Sequence, residues 1–139
     1  MITGLYSALC GFLLLGLSAR VIAGRRQLGT ALGDGVKTDL TRRIRAQANF
    51  SEYASTFLII LYFCEISGLA KWSIHTLGIL FFTGRLAHAY GISFAESYAG
   101  DAIVQGGRSR QFGMALTLSA VGVASIALLA TLITPSVYH

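Results

Sequence analysis

The stretch TRRIRAQANFSEYASTFLIILYFCE, residues 41–65, begins with basic residues, becomes mixed in polarity and finishes as an apolar run. At about 100° per residue, five of its polar side chains fall within about 80° of each other on one helical face. These are Arg42, Arg45, Asn49, Glu52 and Thr56. Ionisable groups on a helix that continues into lipid are costly, so they face a bundle interior or a cavity. The stretch predicts a membrane helix with a functional polar face; an ion-pair network that only fixes helix packing is the alternative.

The composition is that of a membrane protein. Of the 139 residues, 54% are hydrophobic, 12% are charged and one is proline. A soluble domain carries about 25% charged residues, and the mean hydropathy here is +0.64. The length suits a single domain over residues 1–139. Cys10 and Cys64 lie in separate apolar segments without metal or redox spacing, so we interpret both as small core residues.

Apolar segments predict four transmembrane helices, at about residues 2–23, 39–66, 72–92 and 110–134. We interpret the first as a transmembrane helix and not as a cleaved signal, because no basic segment precedes it and it is long enough to span. The second is about 42 Å long at the usual helical rise, against a hydrocarbon core of about 30 Å. Its basic first turns therefore project into the headgroup layer. A flexible connector precedes it, and residues 93–107 form a polar loop. We predict an all-α membrane protein, a four-transmembrane-helix bundle.

The basic residues indicate the orientation of these spans. Nine of the eleven Lys and Arg residues flank the ends joined by the first and third loops. They are Arg20, Arg25, Arg26, Lys37, Arg42, Arg43, Arg45, Arg108 and Arg110. The positive-inside rule then places both basic loops in the cytoplasm and both termini outside. The net charge of +5 is thus a topology signal and not a nucleic-acid signal. The polar cluster, including Arg85 and His88 on one face of the third span, falls near the cytoplasmic end.

Several arginines around one carboxylate and one amide make a site for an anionic, peptide-like ligand, because arginine binds carboxylates bidentately and keeps its charge. An arginine beside a bound thiol also favours the thiolate. The sequence shows no Ser-His-Asp arrangement and no metal-ligand set. His75 and His88 lie near opposite membrane faces, so they cannot jointly ligate one haem iron.

Four motifs carry a resemblance to a known family. RAQANFSEY, from Arg45 to Tyr53, resembles the second-helix signature of the MAPEG family, the membrane-associated proteins of eicosanoid and glutathione metabolism. A basic pair follows the first span, GRLAHAYG resembles the third-helix motif, and RQFGM opens the fourth span with an arginine. The similarity covers essentially the whole chain. The short length and the GDG-containing first loop resemble a bacterial branch, which implies a multi-pass protein of the bacterial inner membrane.

The resemblance implies a homotrimer that binds glutathione as co-substrate between adjacent subunits, near the cytoplasmic face. By matched positions, the glutathione contacts in one subunit would be Arg45, Asn49, Glu52 and Tyr53. Arg25 and Gln47 would reach the same ligand from the neighbouring subunit. Helix geometry agrees, since Gln47 lies about 160° from Asn49, so both bind one ligand only where different subunits meet.

The resemblance also assigns two roles to arginines. Arg85 resembles the third-helix arginine that pairs with the second-helix glutamate, here Glu52. Arg110 matches the fourth-helix arginine that stabilises the thiolate, and Arg108 is the second choice. No nucleic-acid partner and no metal are implied; the partners are lipid, glutathione and a hydrophobic small molecule.

Departures from the family pattern narrow the expected activity. Leukotriene-synthesising members carry tyrosines where this chain has His88 and Ile92. Prostaglandin-synthesising members carry a tyrosine where this chain has Met114. We therefore expect a glutathione transferase or peroxidase acting on hydrophobic electrophiles. The alternatives are a small four-span solute or multidrug transporter and a non-enzymatic scaffold. Proton coupling through Glu52 is disfavoured, because the surrounding arginines keep it ionised.

Overall fold

Four long helices form the protein in a computed structural model, which describes residues 1–35, 38–99 and 102–133. Helix α1 spans Ile2–Leu28, α2 Thr38–Ile66, α3 Lys71–Tyr90 and α4 Gly107–Ile133. A π-helical turn, Gly91–Ala95, follows α3, and two strands, β1 (Ser97–Ala99) and β2 (Ala102–Gln105), precede α4. The predicted helical class is confirmed, with boundaries within a few residues of those expected except at the end of α1.

Helix α1 continues one turn beyond the predicted residue 23. It ends at Gly29, whose φ of 62° is the left-handed conformation that terminates a helix. Arg25 and Arg26 therefore lie in the last helical turn and not in the loop, where cations interact favourably with the helix dipole. At the other end, the Glu65 carboxylate accepts hydrogen bonds from the backbone N–H groups of Ile2 and Thr3. The end of α2 thus caps the start of α1.

The predicted polar loop at residues 93–107 is wrong in its conformation. The chain forms the π-helical turn and then an antiparallel hairpin, in which Ser97 is paired with Gln105. The hairpin satisfies backbone hydrogen-bonding groups that an irregular loop beside a membrane would leave to water. Apart from this hairpin, the described fold is all-α.

Aromatic and aliphatic side chains from all the helices fill the core. The Phe57 and Phe81 rings stack with their centroids 4.0 Å apart, and Leu61 and Ile74 have no exposed surface. Cys10 and Cys64 are buried and unbridged, as predicted. The Tyr6 hydroxyl donates to the carbonyl of His75, 3.0 Å away, which joins α1 to α3.

Within the described residues, two helices, α1 and α4, are long and apolar enough to cross a membrane on length and composition alone. Helices α2 and α3 carry the polar cluster, which reduces their apolar content. The spanning role of α2 and α3 stays a prediction.

Candidate functional site

A cavity of about 510 Å³ lies among α2, α3, the π-helical turn and α4. Polar side chains from three helices converge on it: its lining includes Arg45, Ala48, Asn49, Glu52, His88, Ile92, Arg110, Gln111 and Met114. The α2 residues face it together because they recur every three or four positions. The lining contains two arginines and one glutamate, so it carries a net positive charge. We call it the cationic cavity.

Arg110 lies at the start of α4 and is held from behind by Glu96. Its Nε is 3.0 Å from Glu96 Oε1. The Glu96 side chain has no exposed surface, whereas that of Arg110 is 35% exposed. The arginine therefore lies between a buried carboxylate and the cationic cavity. Sequence reasoning identified Arg110 but missed Glu96, which lies in the segment interpreted as a loop.

Arg85 lies fully buried beneath the cavity wall, on α3. Its Nη2 donates to Asn49 Oδ1 at 2.7 Å and is 3.1 Å from His88 Nδ1. Its Nη1 is 3.4 Å from the Thr117 hydroxyl. The Tyr53 ring lies 5.5 Å from the guanidinium carbon, within the range of a cation–π contact. Arg85 thereby orients two residues of the cavity wall, Asn49 and His88.

The predicted ion pair between Glu52 and Arg85 is not formed within this chain. Arg43–Asp39 and Arg110–Glu96 are ion pairs between described residues, and neither includes Glu52 or Arg85. The packing of α3 against α2 places the Arg85 guanidinium 2.7 Å from Asn49 Oδ1, one turn before Glu52, and Asn49 accepts the hydrogen bond instead. Glu52 is exposed and lines both the cationic cavity and a smaller one beside Tyr53.

Three further predicted residues lie away from the cationic cavity. Gln47 faces α1, where its amide nitrogen donates to the Ser18 hydroxyl at 2.8 Å. Arg25 lines a second cavity of about 380 Å³, beneath the first loop, and its Nη1 donates to the carbonyl of Ala31. Arg45 lines both this cavity and the cationic one. Arg108 is exposed and does not line the cationic cavity.

A clamp on the π-helical turn was also missed by the sequence reasoning. Arg42 Nε donates to the Ile92 carbonyl at 2.8 Å, and its Nη2 donates to the Glu96 carbonyl at 3.0 Å. Arg20 donates to the Ser93 hydroxyl and lies over the Phe94 ring. The helical pattern placed Arg42 on the functional face, but its partners lie 50 and 54 positions away in sequence.

The bundle has four long helices and an apolar exterior, and polar side chains give its cavity a positive charge. These features define a helical membrane protein with a cavity suited to an anionic small molecule. The chain matches the MAPEG family over residues 3–130, and it belongs to that family. The resemblance inferred from the four motifs is confirmed.

Two curated relatives carry the same name. Inner membrane protein YecN of Escherichia coli strain K12 is 36% identical over 91 residues, which is 66% of this chain and 70% of that protein. YecN of Escherichia coli O6:H1 matches with the same identity and coverage.

Proposed function

We propose that this protein is a glutathione transferase or peroxidase of the bacterial inner membrane, in which the cationic cavity binds glutathione and activates its thiol for attack on hydrophobic electrophiles. One observation carries the proposal: Arg45, Asn49 and Glu52 from α2 line the same cavity as Arg110 from α4. The inner-membrane location is supported by the name of the YecN relatives.

The cavity and its charges suit a short anionic peptide. Its volume of about 510 Å³ lies within the range of about 300–1,000 Å³ that small-molecule sites occupy. Arg45 offers a guanidinium for a ligand carboxylate, and Glu52 offers a carboxylate for the ligand's ammonium group. Asn49, held by Arg85, presents an amide to the peptide portion.

Arg110 supplies the chemistry in this proposal. It lies in the first turn of α4, where the helix dipole adds partial positive charge. Both charges favour the thiolate, the nucleophilic form of the thiol. With 1-chloro-2,4-dinitrobenzene, the sulfur would form a bond to the ring carbon that carries chlorine, and chloride would leave. The thiol proton would be released to water.

The proposed assembly is a homotrimer that shares each site between subunits. Gln47 faces α1, and Arg25 lines a separate cavity that shares Arg45 with the cationic one. In the proposed trimer, as the family resemblance implies, Arg25 would reach the ligand from a neighbouring subunit. The Gln47 amide nitrogen donates to Ser18 and the Arg25 Nη1 donates to Ala31 in the same protomer. Arg25 is the better candidate for the shared contact, because a guanidinium has five N–H donors and a positive charge for an anionic ligand.

The variant Arg110→Ala tests the catalytic role. Conjugation of 1-chloro-2,4-dinitrobenzene should fall by at least about 100-fold, the size of effect seen when one electrostatic stabiliser is removed. Glutathione affinity should remain within a few-fold, because the peptide portion is held by α2. The wild type should give the ultraviolet difference absorbance of a bound thiolate, and the variant should not.

Arg108→Ala is the matched control, since it removes an exposed arginine two positions earlier. It should keep both turnover and the thiolate signal. Full turnover and a full thiolate signal in Arg110→Ala would contradict the proposal and leave Arg110 as a topology-setting charge.

A further inference from the structure

The turn that leads out of α3 holds a buried carboxylate against the arginine of the proposed site. Glu96 follows the π-helical turn directly, and its Oε1 lies 3.0 Å from Arg110 Nε. The contact is made by Nε, so it does not use the two terminal nitrogens of the guanidinium. The contact between the carboxylate and the guanidinium fixes the arginine's orientation.

The backbone around this pair is fixed from two sides. Arg42 of α2 donates to the carbonyls of Ile92 and Glu96, and the Glu96 N–H donates to the Gly91 carbonyl at 3.1 Å. Gly91 packs against the backbone of Arg110, where a Cβ would lie 2.7 Å from the Arg110 nitrogen. The backbone positions of both partners of the ion pair are therefore fixed at the junction of α2, α3 and α4.

We propose that Glu96 is a positioning residue, which orients the Arg110 guanidinium toward the cationic cavity and limits the positive charge that it presents to a bound thiol. This inference rests on the proposed function. The carboxylate keeps the terminal nitrogens directed at the ligand and lowers the cost of a partly desolvated arginine in the empty site.

The charges around the bound sulfur determine in which direction the thiolate midpoint moves when Glu96 is replaced. Arg45 and Glu52 face the cavity from α2, and His88 faces it from α3, with Arg85 behind it. Arg42 faces the backbone of Glu96. The Glu96 carboxylate opposes formation of a second negative charge nearby, so its removal should stabilise the thiolate. One unit charge at several ångströms in a partly buried site moves a titration by on the order of one pH unit.

The experiment compares three purified variants in detergent: Glu96→Gln, Glu96→Asp and Glu65→Gln. The thiolate absorbance of bound glutathione is titrated against pH, and conjugation is measured as kcat and KM. Glu96→Gln keeps the shape but removes the charge, so its thiolate midpoint should move to lower pH. Glu96→Asp keeps the charge on a shorter side chain, which no longer holds the guanidinium toward the cavity. Its thiolate midpoint should therefore move to higher pH, and its kcat at neutral pH should fall.

Glu65→Gln is the matched control, because it removes a hydrogen-bonded carboxylate at the C-terminal end of α2, away from the cationic cavity. Its midpoint should equal that of the wild type even if its stability falls. An unmoved midpoint in Glu96→Gln overturns the inference. If that variant does not fold, a kcat in Glu96→Asp equal to the wild type overturns it instead.

A second measurement does not depend on glutathione. Phenylglyoxal modification of Arg110, followed by peptide mass spectrometry, should be several-fold faster in Glu96→Gln than in the wild type, because the carboxylate no longer holds the guanidinium. Equal rates overturn the role of Glu96. A third outcome separates the two proposals. If the wild type gives no thiolate signal but Arg110 is modified faster in Glu96→Gln, the proposed function is overturned and the positioning of Arg110 by Glu96 still holds.

Discussion

Arg85 is a buried cation whose partners are neutral. Its guanidinium has no exposed surface, and within the described residues it makes no ion pair. Its shortest contact is to Asn49 Oδ1 at 2.7 Å. Removing one partner of a buried charged group costs more than the pair contributes, because the remaining group is left desolvated. Asn49 therefore has a structural task as well as a place in the cationic cavity.

Asn49→Ala should destabilise the detergent-solubilised protein by about 1.5–3 kcal/mol, the range for a hydrogen bond to a charged group. Asn49→Asp should lose less stability than Asn49→Ala, because its carboxylate still accepts a hydrogen bond from Arg85. Thermal or denaturant unfolding measures both. A stable Asn49→Ala would contradict the assigned contact.

Glu52→Gln serves as the comparison for Asn49→Ala on the same helical face. Glu52 is exposed and unpaired with Arg85 in this chain, so its substitution should change stability by less than about 0.5 kcal/mol. A loss as large as that of Asn49→Ala would restore the ion pair first predicted between Glu52 and Arg85.

At the scale of elements, α3 and α4 meet through glycines. A Cβ on Gly84 would lie 2.9 Å from the carbonyl oxygen of Gly113, and a Cβ on Gly113 would collide with the backbones of Gly84 and His88. Small residues let membrane helices approach closely, since packing replaces the hydrophobic driving force in lipid. This approach sets the distance between His88 and Arg110 across the cavity.

Gly113→Ala should destabilise the protein by about 1–3 kcal/mol, the usual cost of overpacking, and should widen the cationic cavity. Gly122→Ala is the matched control on the same helix, because a Cβ there meets nothing within 4 Å. Unfolding in detergent measures the difference. Equal stability of the two variants would contradict the close contact of α3 with α4.

At the scale of the whole molecule, large apolar side chains cover the outside of the bundle. Phe12 and Trp72 are each 73% exposed, and Ile133 is 75% exposed. Exposed apolar surface of this extent marks contact with lipid or with a partner. The proposed trimer would bury part of it and bring the Arg25 side of one protomer to the cationic cavity of the next.

Mixed assemblies test this sharing of the site. Chains with Arg25→Ala and chains with Arg110→Ala should each lose conjugation when purified alone. Co-expressed, they should regain part of it, because some interfaces then join an intact Arg25 to an intact Arg110. Isothermal titration with glutathione and conjugation assays on the mixed assembly provide the measurements.

A double variant tests whether the regained activity comes from sites shared between subunits. Chains carrying both Arg25→Ala and Arg110→Ala, mixed with wild type at the same ratio, contribute no intact half-site. Full activity of Arg25→Ala alone, or no gain on mixing, would place the whole site in one protomer.

The class of protein, the four long helices and the face of α2 that lines the cavity could all be predicted from the amino-acid sequence. These follow from composition and from a repeat of 3.6 residues, which are properties of neighbouring positions along the chain. Arg45, Asn49 and Glu52 were found in this way. The glycine that ends α1 is also a local signal of a helix end. Our prediction used the length of the apolar run alone, which placed that end too early.

The partners of the charged side chains became known from the packing of the helices and not from the sequence. Asn49, and not Glu52, accepts from Arg85, because the rotation of α3 against α2 fixes which turn is nearer, and no periodic pattern records that rotation. Glu96 reaches Arg110 because the π-helical turn redirects the chain, and Arg42 holds that turn from a distance of 50 positions in sequence. Contacts between distant segments depend on how helices pack, so the partners of Arg85 and Arg110 could be assigned only once the bundle was assembled.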